Sequence, residues 1–434
     1  MHQTIAQKPA PRQGWYVVGI CTLAYIFSFI DRQILSLLVG PIKLDLGLTD
    51  TSFAFLHGFA FSIFYATLGV PIAGLADRMA RPLVIAGGIA LWSLATAACG
   101  LASGFSELLL ARMMVGAGEA ALSPAAYALI NDLFPREKLG RAIGVYSLGS
   151  FLGAGLALLV GGALVAMAGS NSAVMVGTWS LRVWQMCFLV VGLPGLLLAA
   201  LVWLTVHEPA ARKGGGQEGS PPPLRAVLGY LVRERAIFAS HMLGYAFSGW
   251  ALFGMLAWGP AALMRGFGLN AQEAGLRLGI VAILAGGGGA FASGWLLDRF
   301  ARLGRADTTF LVGIAGGLGS ALASVALALA GSPTGALVAL TGLQFFSSFA
   351  ITPSSALTQM VAPPAMRARI AALLICGTGF VGAGLGPLLI GLLNDHATGN
   401  AALSLALVCG AGGILSASLL AKGCAPMRAR GQAK

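Results

Sequence analysis

Charge is scarce in this sequence. Only 10% of its 434 residues are Asp, Glu, Lys or Arg, against about 25% in ordinary soluble domains, so a soluble chain of this length could not cover its surface. Patterned cysteine is missing as well. Cys21, Cys99, Cys187, Cys376, Cys409 and Cys424 are scattered, mostly through apolar runs, with no CxxC spacing, which excludes a disulfide framework or a zinc site and leaves small core residues. No GxxxxGK[ST] loop and no HExxH pair occurs, so neither a nucleotide-driven pump nor a zinc hydrolase has an anchor here, and no cofactor or metal is expected. The polar stretch Met1 to Gly14 runs into a long apolar segment without a small-residue cleavage site, so an uncleaved first span is expected.

Apolar residues fill the space that charge leaves: 57% of the chain is hydrophobic. A bilayer span takes about 20 apolar residues, and runs of that length fall near 16–39, 52–76, 83–103, 106–131, 143–167 and 183–206, then 236–264, 278–297, 307–330, 334–360, 371–393 and 400–421. Strands of an outer-membrane barrel would be about 10 residues long and alternate in polarity. The pattern therefore predicts an all-α polytopic membrane protein with 12 transmembrane helices.

The net charge of +12 would point to nucleic acid in a soluble chain. Its placement argues otherwise. With the N-terminus in the cytoplasm, 21 of the 27 Lys and Arg fall in cytoplasmic segments, four (Lys43, Arg182, Arg265, Arg277) lie on the opposite side, and Arg32 and Arg112 lie within spans. This is the positive-inside distribution. It predicts both termini in the cytoplasm of a bacterial inner membrane, and no nucleic-acid partner.

The chain also repeats itself. Asp77-Arg78-Met79-Ala80-Arg81 after the second span returns as Asp298-Arg299-Phe300-Ala301-Arg302 after the eighth, and Pro124, Pro135, Phe151, Gly153, Ala154, Gly155, Leu156 and Gly162 recur 229 residues later. Between the halves lies a Gly- and Pro-rich stretch with Gly214 to Gly216 and Pro221 to Pro223. The expected organisation is a six-helix bundle over 1–206, a cytoplasmic linker over 207–235 and a second six-helix bundle over 236–434. Parallel six-span repeats with a site at their interface are a transporter design.

The loop Gly74-Leu75-Ala76-Asp77-Arg78-Met79-Ala80-Arg81 resembles the signature between spans two and three of the major facilitator superfamily. Within it, Phe29-Ile30-Asp31-Arg32, Ala111-Arg112-Met113-Met114-Val115-Gly116-Ala117-Gly118-Glu119-Ala120 and Asp132-Leu133-Phe134-Pro135 resemble the spinster-like branch. The resemblance covers nearly the whole chain and implies two pseudo-symmetric six-helix bundles that work by alternating access.

A charge at the bilayer centre costs about 2.5–3.5 kcal/mol on insertion scales, so the ionisable residues within spans need a reason. Asp31 and Arg32 lie in span one, and Arg112 and Glu119 in span four. The last two, seven apart, share one helix face, and Gly116, Ser123 and Tyr127 extend the stripe. One reading makes Glu119 and Asp31 the protonatable sites, with Arg32 and Arg112 as counter-charges that also hold an anionic head group. The other makes the four a static network that locks the two spans together. The resemblance implies proton coupling and substrate handling for these positions.

Asp77, Arg78 and Arg81, with Asp298, Arg299 and Arg302, fall in tight cytoplasmic loops. Such arginines occur as ordinary positive-inside decoration, whereas a lone acid among them can cap a helix and pair with an Arg. By resemblance Asp77 belongs to a cytoplasmic gate with Arg141, and Asp298 is its repeat counterpart. His57 and His241, lone histidines on apolar helices, read as satisfied core or interface residues, with a proton relay as the alternative.

Candidate cavity helices of the second half offer Tyr245, Ser248, Trp250, Gln344, Phe345, Phe346, Ser348, Phe349 and Thr352, but no ionisable residue comparable to Glu119. A charged side facing an apolar, aromatic side suits an amphipathic anion such as a lysophospholipid or sphingoid phosphate, which the resemblance also implies. Any of these aromatics could instead be core or face lipid. The expected protein is a proton-coupled secondary transporter, acting as a monomer among membrane lipids. A small organic-anion or drug carrier is the alternative within transport. A membrane-embedded lipid-modifying enzyme is the alternative outside it, although no Ser-His or Cys-His pair lies at a shared depth.

Overall fold

In the absence of water inside a bilayer, every backbone amide of a spanning segment must be satisfied within the segment, so apolar runs of this kind become helices. The computed structural model describes residues 11–168, 174–176, 179–208 and 223–432. Among these residues twelve helices are long and apolar enough to cross a membrane. Spans 1 to 6 are Arg12–Leu37, Asp50–Gly69, Arg81–Cys99, Phe105–Leu133, Lys138–Met167 and Val183–Thr205. Spans 7 to 12 are Arg235–Phe267, Ala271–Arg302, Thr308–Ala328, Pro333–Val361, Arg369–Thr398 and Ala401–Gln432. Gly214 to Gly216, Pro221 and Pro222 of the expected linker lie outside the described residues.

Two spans outrun their apolar cores. Span 8 starts at Ala271 because the Asn270 side chain accepts from the Glu273 amide at 2.8 Å and caps the helix. Span 12 continues through Lys422 to Gln432 because its polar last turns have partners: Arg430 meets Glu234 at 2.8 Å and Arg428 meets Asp307 at 3.5 Å.

Asp307 is buried just ahead of span 9. Burial pushes its carboxyl up, but hydrogen bonds from Arg305 (3.0 and 3.2 Å) and from its own backbone N–H, with the charges of Arg305 and Arg428, outweigh burial and hold it below the ordinary carboxylate value. A folded-state value below the unfolded one, about 3.9, contributes stability that is present above that value and is lost as pH falls through the lower, folded value. The melting temperature in detergent therefore drops on acidification below about pH 4, and less steeply in Asp307→Asn. Equal slopes in the two proteins would remove Asp307 from this account.

The described chain divides into two compact units. Unit 1 comprises Met1–Ile34, Phe64–Ala157 and Ala168–Ser220; unit 2 comprises Leu35–Ile63, Leu158–Met167 and Pro221–Lys434. Segment Leu35–Ile63 and the end of span 5 thus pack with the second half of the sequence. Within unit 1, small residues let helices approach: a Cβ on Gly88 of span 3 would lie 2.6 Å from the Ala121 Cβ and 2.8 Å from the Gly118 carbonyl of span 4. Within unit 2, Gly58 of span 2 lies directly on the Ala383 carbonyl of span 11. One core of unit 2 is built on Val227, Ile237, Phe238, Tyr245, Phe310, Leu357 and Leu420.

Prolines break spans at repeated positions. Pro124 has no N–H for the Ala120 carbonyl and its ring crowds that carbonyl, and span 4 divides into helices Phe105–Glu119 and Leu122–Leu133. Pro353, 229 residues on, does the same to span 10, which divides into Pro333–Ser347, a 3₁₀ turn Ser348–Ala350 and Ile351–Val361. Both breaks therefore follow the same register, and Ser348 occupies in the second repeat the position of Glu119 in the first. In span 11, Pro387 stands where span 5 has Leu158. The helix before Pro387 widens to π geometry over Thr378–Leu385, whereas the matching helix Arg136–Ala168 is uninterrupted.

Candidate functional site

Span 1 is α-helical to Gln33 and then tightens into a 3₁₀ turn, Ile34–Leu37, ahead of Pro41. Asp31 and Arg32 therefore sit at a helix end, and Glu119 sits at the break of span 4. The two ends meet within unit 1. The Glu119 side chain is 0% exposed and its Oε2 accepts from Arg32 Nη2 at 2.5 Å and from Ser28 Oγ at 2.7 Å. Its other oxygen, Oε1, is buried without a hydrogen-bond partner among the described residues, and so is Asp31 Oδ1. Arg112 is fully buried and donates from Nη1 to the Asp31 carbonyl at 3.3 Å. Of the four predicted residues, then, Arg32 and Glu119 form an ion pair, while Arg112 reaches the backbone of Asp31.

Aromatic rings surround this pair. The Arg32 guanidinium lies 4.9 Å from the Phe29 ring centre and 5.5 Å from that of Tyr65, close enough for cation–π attraction. Tyr25 packs edge-on to Phe29 at 5.1 Å and stacks on Tyr146 at 4.7 Å. Ser123 Oγ lies 3.1 Å from the Tyr146 hydroxyl, and Tyr127 meets Tyr146 edge-on at 5.2 Å. Ser123 and Tyr127 thus join the site through Tyr146. Ser28, Tyr25, Tyr65 and Tyr146 are additions to the predicted set. Ser28 could have been read from its spacing, one turn before Arg32; the tyrosines carry no signal that separates them from lipid-facing or core rings.

The candidates of the second half all lie within unit 2, and Tyr245, Gln344, Ser348 and Phe349 are buried in its packing. Tyr245 is buried in the core and donates its hydroxyl to the Thr309 carbonyl at 2.6 Å, with His241 packed against its ring at 4.8 Å. Trp250 donates Nε1 to the Val381 carbonyl at 2.9 Å. Ser348 Oγ donates to the Gln344 carbonyl at 2.8 Å, and Gln344 Oε1 is buried without a hydrogen-bond partner among the described residues. Phe345, Phe346 and Phe349 form a trio with ring centres 5.3 to 5.6 Å apart.

At one end of the spans, Arg81 holds Asp132 and lies 3.8 Å from Glu208, whose carboxylate also accepts from the Arg81 amide at 2.6 Å. Arg141 and Asp298 are exposed. Asp77 and Arg78 close the helix Ala60–Arg78, and their side chains lie outside the described part of the structure.

The opposite end carries a polar cluster that the sequence did not single out. Asp50, its side chain 3% exposed, accepts from Arg265 at 2.8 and 2.9 Å and is also held by Lys43 and Asn394. Next to it, Asp395 accepts from the Thr51 hydroxyl and amide at 2.7 Å and from the Asp50 amide at 3.1 Å, capping the helix that opens span 2. The cluster ties segment 43–51, from the first half of the sequence, to the ends of spans 7 and 11 inside unit 2.

Twelve spans in a duplicated order, with buried carboxylates and arginines on the first and fourth, are the features of a multi-pass membrane transporter. A family model described as Major Facilitator Superfamily matches residues 21–387, and the chain belongs to that superfamily, in its spinster-like type. It is similar to a crystal structure of a bacterial homologue of the human lysosomal transporter spinster, in an inward-facing and unoccupied conformation, with 27% identity, a TM-score of 0.78 and 98% of each chain covered. It is 30% identical over 402 residues to an MFS-type efflux pump of Mycolicibacterium smegmatis, covering 91% of this chain and 87% of the relative. It is 28% identical over 406 residues to a 3-(3-hydroxy-phenyl)propionate transporter of Escherichia coli, covering 93% and 92%.

Proposed function

We propose that this transporter moves an amphipathic anion, such as a lysophospholipid or sphingoid phosphate, by proton-coupled alternating access, with Glu119 as the principal proton site. The observation that carries the reading is the half-satisfied Glu119 carboxylate: one oxygen holds Arg32 and Ser28, and the other is buried without a donor. A buried acceptor left unpaired is costly. A proton on that oxygen removes the buried negative charge, weakens the hold on Arg32 and lets the guanidinium take an anionic head group. Asp31 is the second protonatable group, and Arg112 keeps its segment in place. Within unit 2, the half-buried rings of Phe345 and Phe346 are apolar surface of the kind a tail needs, and Gln344 and Ser348 are buried polar groups beside them.

With both termini in the cytoplasm of a bacterial inner membrane, as the basic loops indicate, the Arg81 end is cytoplasmic and the Asp50 end is extracytoplasmic. The Asp50 cluster is then the extracytoplasmic closure, consistent with the similarity to a homologue captured inward-facing. Asp77, Arg78, Arg81 and Arg141, on the loops of unit 1, and Asp298, their repeat counterpart in unit 2, are the residues assigned to cytoplasmic gating in this reading.

A second reading is favoured by the rings around Arg32: a guanidinium between Phe29 and Tyr65 also suits a small aromatic acid, and a relative is named for such a substrate. Transport in sealed proteoliposomes, with the pH gradient and the substrate varied independently, separates the two. Gradient-driven movement of a lysophospholipid but not of an arylpropionate supports the first reading; the reverse supports the second. Movement of either that ignores the pH gradient would refute proton coupling.

A further inference from the structure

The linker enters its described portion at Pro223 and forms the helix Leu224–Arg233 before turning into span 7. One face of this helix is anchored. Val227 is fully buried beside Ile237, Leu357, Val361 and Ile370, and the Tyr230 hydroxyl donates to the Val361 carbonyl at 3.0 Å. Val361 is the last residue of span 10, Ile237 is the third of span 7 and Ile370 is the second of span 11. The helix therefore lies at the level where three spans enter the bilayer. Another face is apolar and uncovered: Leu224, Leu228 and Val232, four residues apart and so on one stripe, are 52%, 47% and 65% exposed.

The charges beside that stripe have one sign. Glu234 is the sole acid of the segment 223–236 and faces Arg430 at 2.8 Å, while Arg225, Arg233 and Arg235 are all exposed. An amphipathic helix with an apolar stripe, flanking arginines and a position at the span ends matches the surface of an anionic lipid leaflet, whose acyl boundary takes the stripe and whose phosphates take the arginines.

We propose that Leu224–Arg233 is an interfacial helix that binds anionic lipid at the leaflet next to the basic loops, with Leu228 and Val232 immersed and Arg225 and Arg233 on head groups. This surface is independent of the transport site, and a failure of either assignment leaves the other standing.

The test places nitroxides at Leu228→Cys, Val232→Cys and Arg233→Cys in full-length protein carrying Cys376→Ser, the other five cysteines being buried. The protein is reconstituted in phosphatidylcholine with or without phosphatidylglycerol. Collisions with oxygen should exceed those with an aqueous nickel chelate at 228 and 232, and the order should reverse at 233, which lies about 100° round the helix from 232. Preference for spin-labelled phosphatidylglycerol over phosphatidylcholine should fall in Arg225→Gln/Arg233→Gln, by up to about 25-fold if each arginine contributes about fivefold. Nickel accessibility at 228 and 232 equal to that at 233 would mean a solvated helix, and protection from both reagents would mean a protein contact; either overturns the proposal. An unchanged lipid preference in the double variant overturns its anionic part.

Discussion

Glu119→Gln abolishes accumulation driven by a pH gradient while leaving exchange down a substrate gradient measurable. One pH unit supplies about 1.4 kcal/mol per proton, a tenfold accumulation ratio, and in the variant that ratio collapses to unity. The cause is local. Glutamine keeps the volume and can still accept from Ser28, so the break of span 4 stays filled, but no proton can be taken up or released at that point. The variant also leaves the Arg32 charge without its carboxylate. Truncating one partner of a buried pair costs about 3–5 kcal/mol, moderated here because the Arg32 side chain is 17% exposed and solvent can screen it. A lowered melting temperature in Glu119→Gln, partly restored in Glu119→Gln/Arg32→Gln, would show the pair at work; gradient-driven accumulation that survives in Glu119→Gln would end the case for this residue as the coupling site.

The second large effect is expected at the other end of the spans. Asp50→Ala removes the acceptor shared by Arg265, Lys43 and Asn394 and leaves two cations facing each other. If the cluster holds the extracytoplasmic side shut, the loss falls on the closed state alone. About 4 kcal/mol, within the range for breaking a buried pair, is roughly a thousandfold in the closed-to-open ratio. Spin labels at the exposed positions Leu44 and Leu276, in protein carrying Cys376→Ser, report the change: the parent's distance distribution broadens or lengthens in the variant. Asp50→Glu, which keeps the charge, restores part of the parent distribution. An unaltered distance distribution in Asp50→Ala would show that the cluster only stabilises the fold.

The contrast between these two sites shows what a sequence of this composition can reveal. Span positions and the group Asp31, Arg32, Arg112 and Glu119 were legible because a charge inside a 20-residue apolar run breaks a simple pattern and carries a known cost. Asp50, Lys43 and Arg265 broke no pattern, since charges at span ends are ordinary, and only the fold brings residues 43, 50, 265 and 394 together. The one available hint was that, in the orientation the basic loops predict, Lys43 and Arg265 are two of just four basic residues on the extracytoplasmic side. Tyr245 illustrates the opposite problem. In helices apolar on every side no periodicity separates a cavity wall from a core, and the hydroxyl that made it a candidate is donated to the Thr309 carbonyl. Pro124 and Pro353 were legible as marks of duplication, but their local effect, a helix end at Glu119 and at Ser348, follows from the missing N–H and appears only when the breaks are set in register.

That register has an electrical consequence. Duplication gave both repeats the same broken helix, yet only the first keeps a carboxylate at the break; the second has a hydroxyl. A membrane voltage acts on charge, at about 2.3 kcal/mol per elementary charge per 100 mV across the full field. Asp31, Arg32, Arg112 and Glu119 sum to zero when all four are ionised, so in that state the field exerts no net pull through them. On the proposed mechanism a proton on Glu119 leaves that group with a net charge of +1, so the voltage acts on that half at the protonation step, and Ser348 offers no such group to the other.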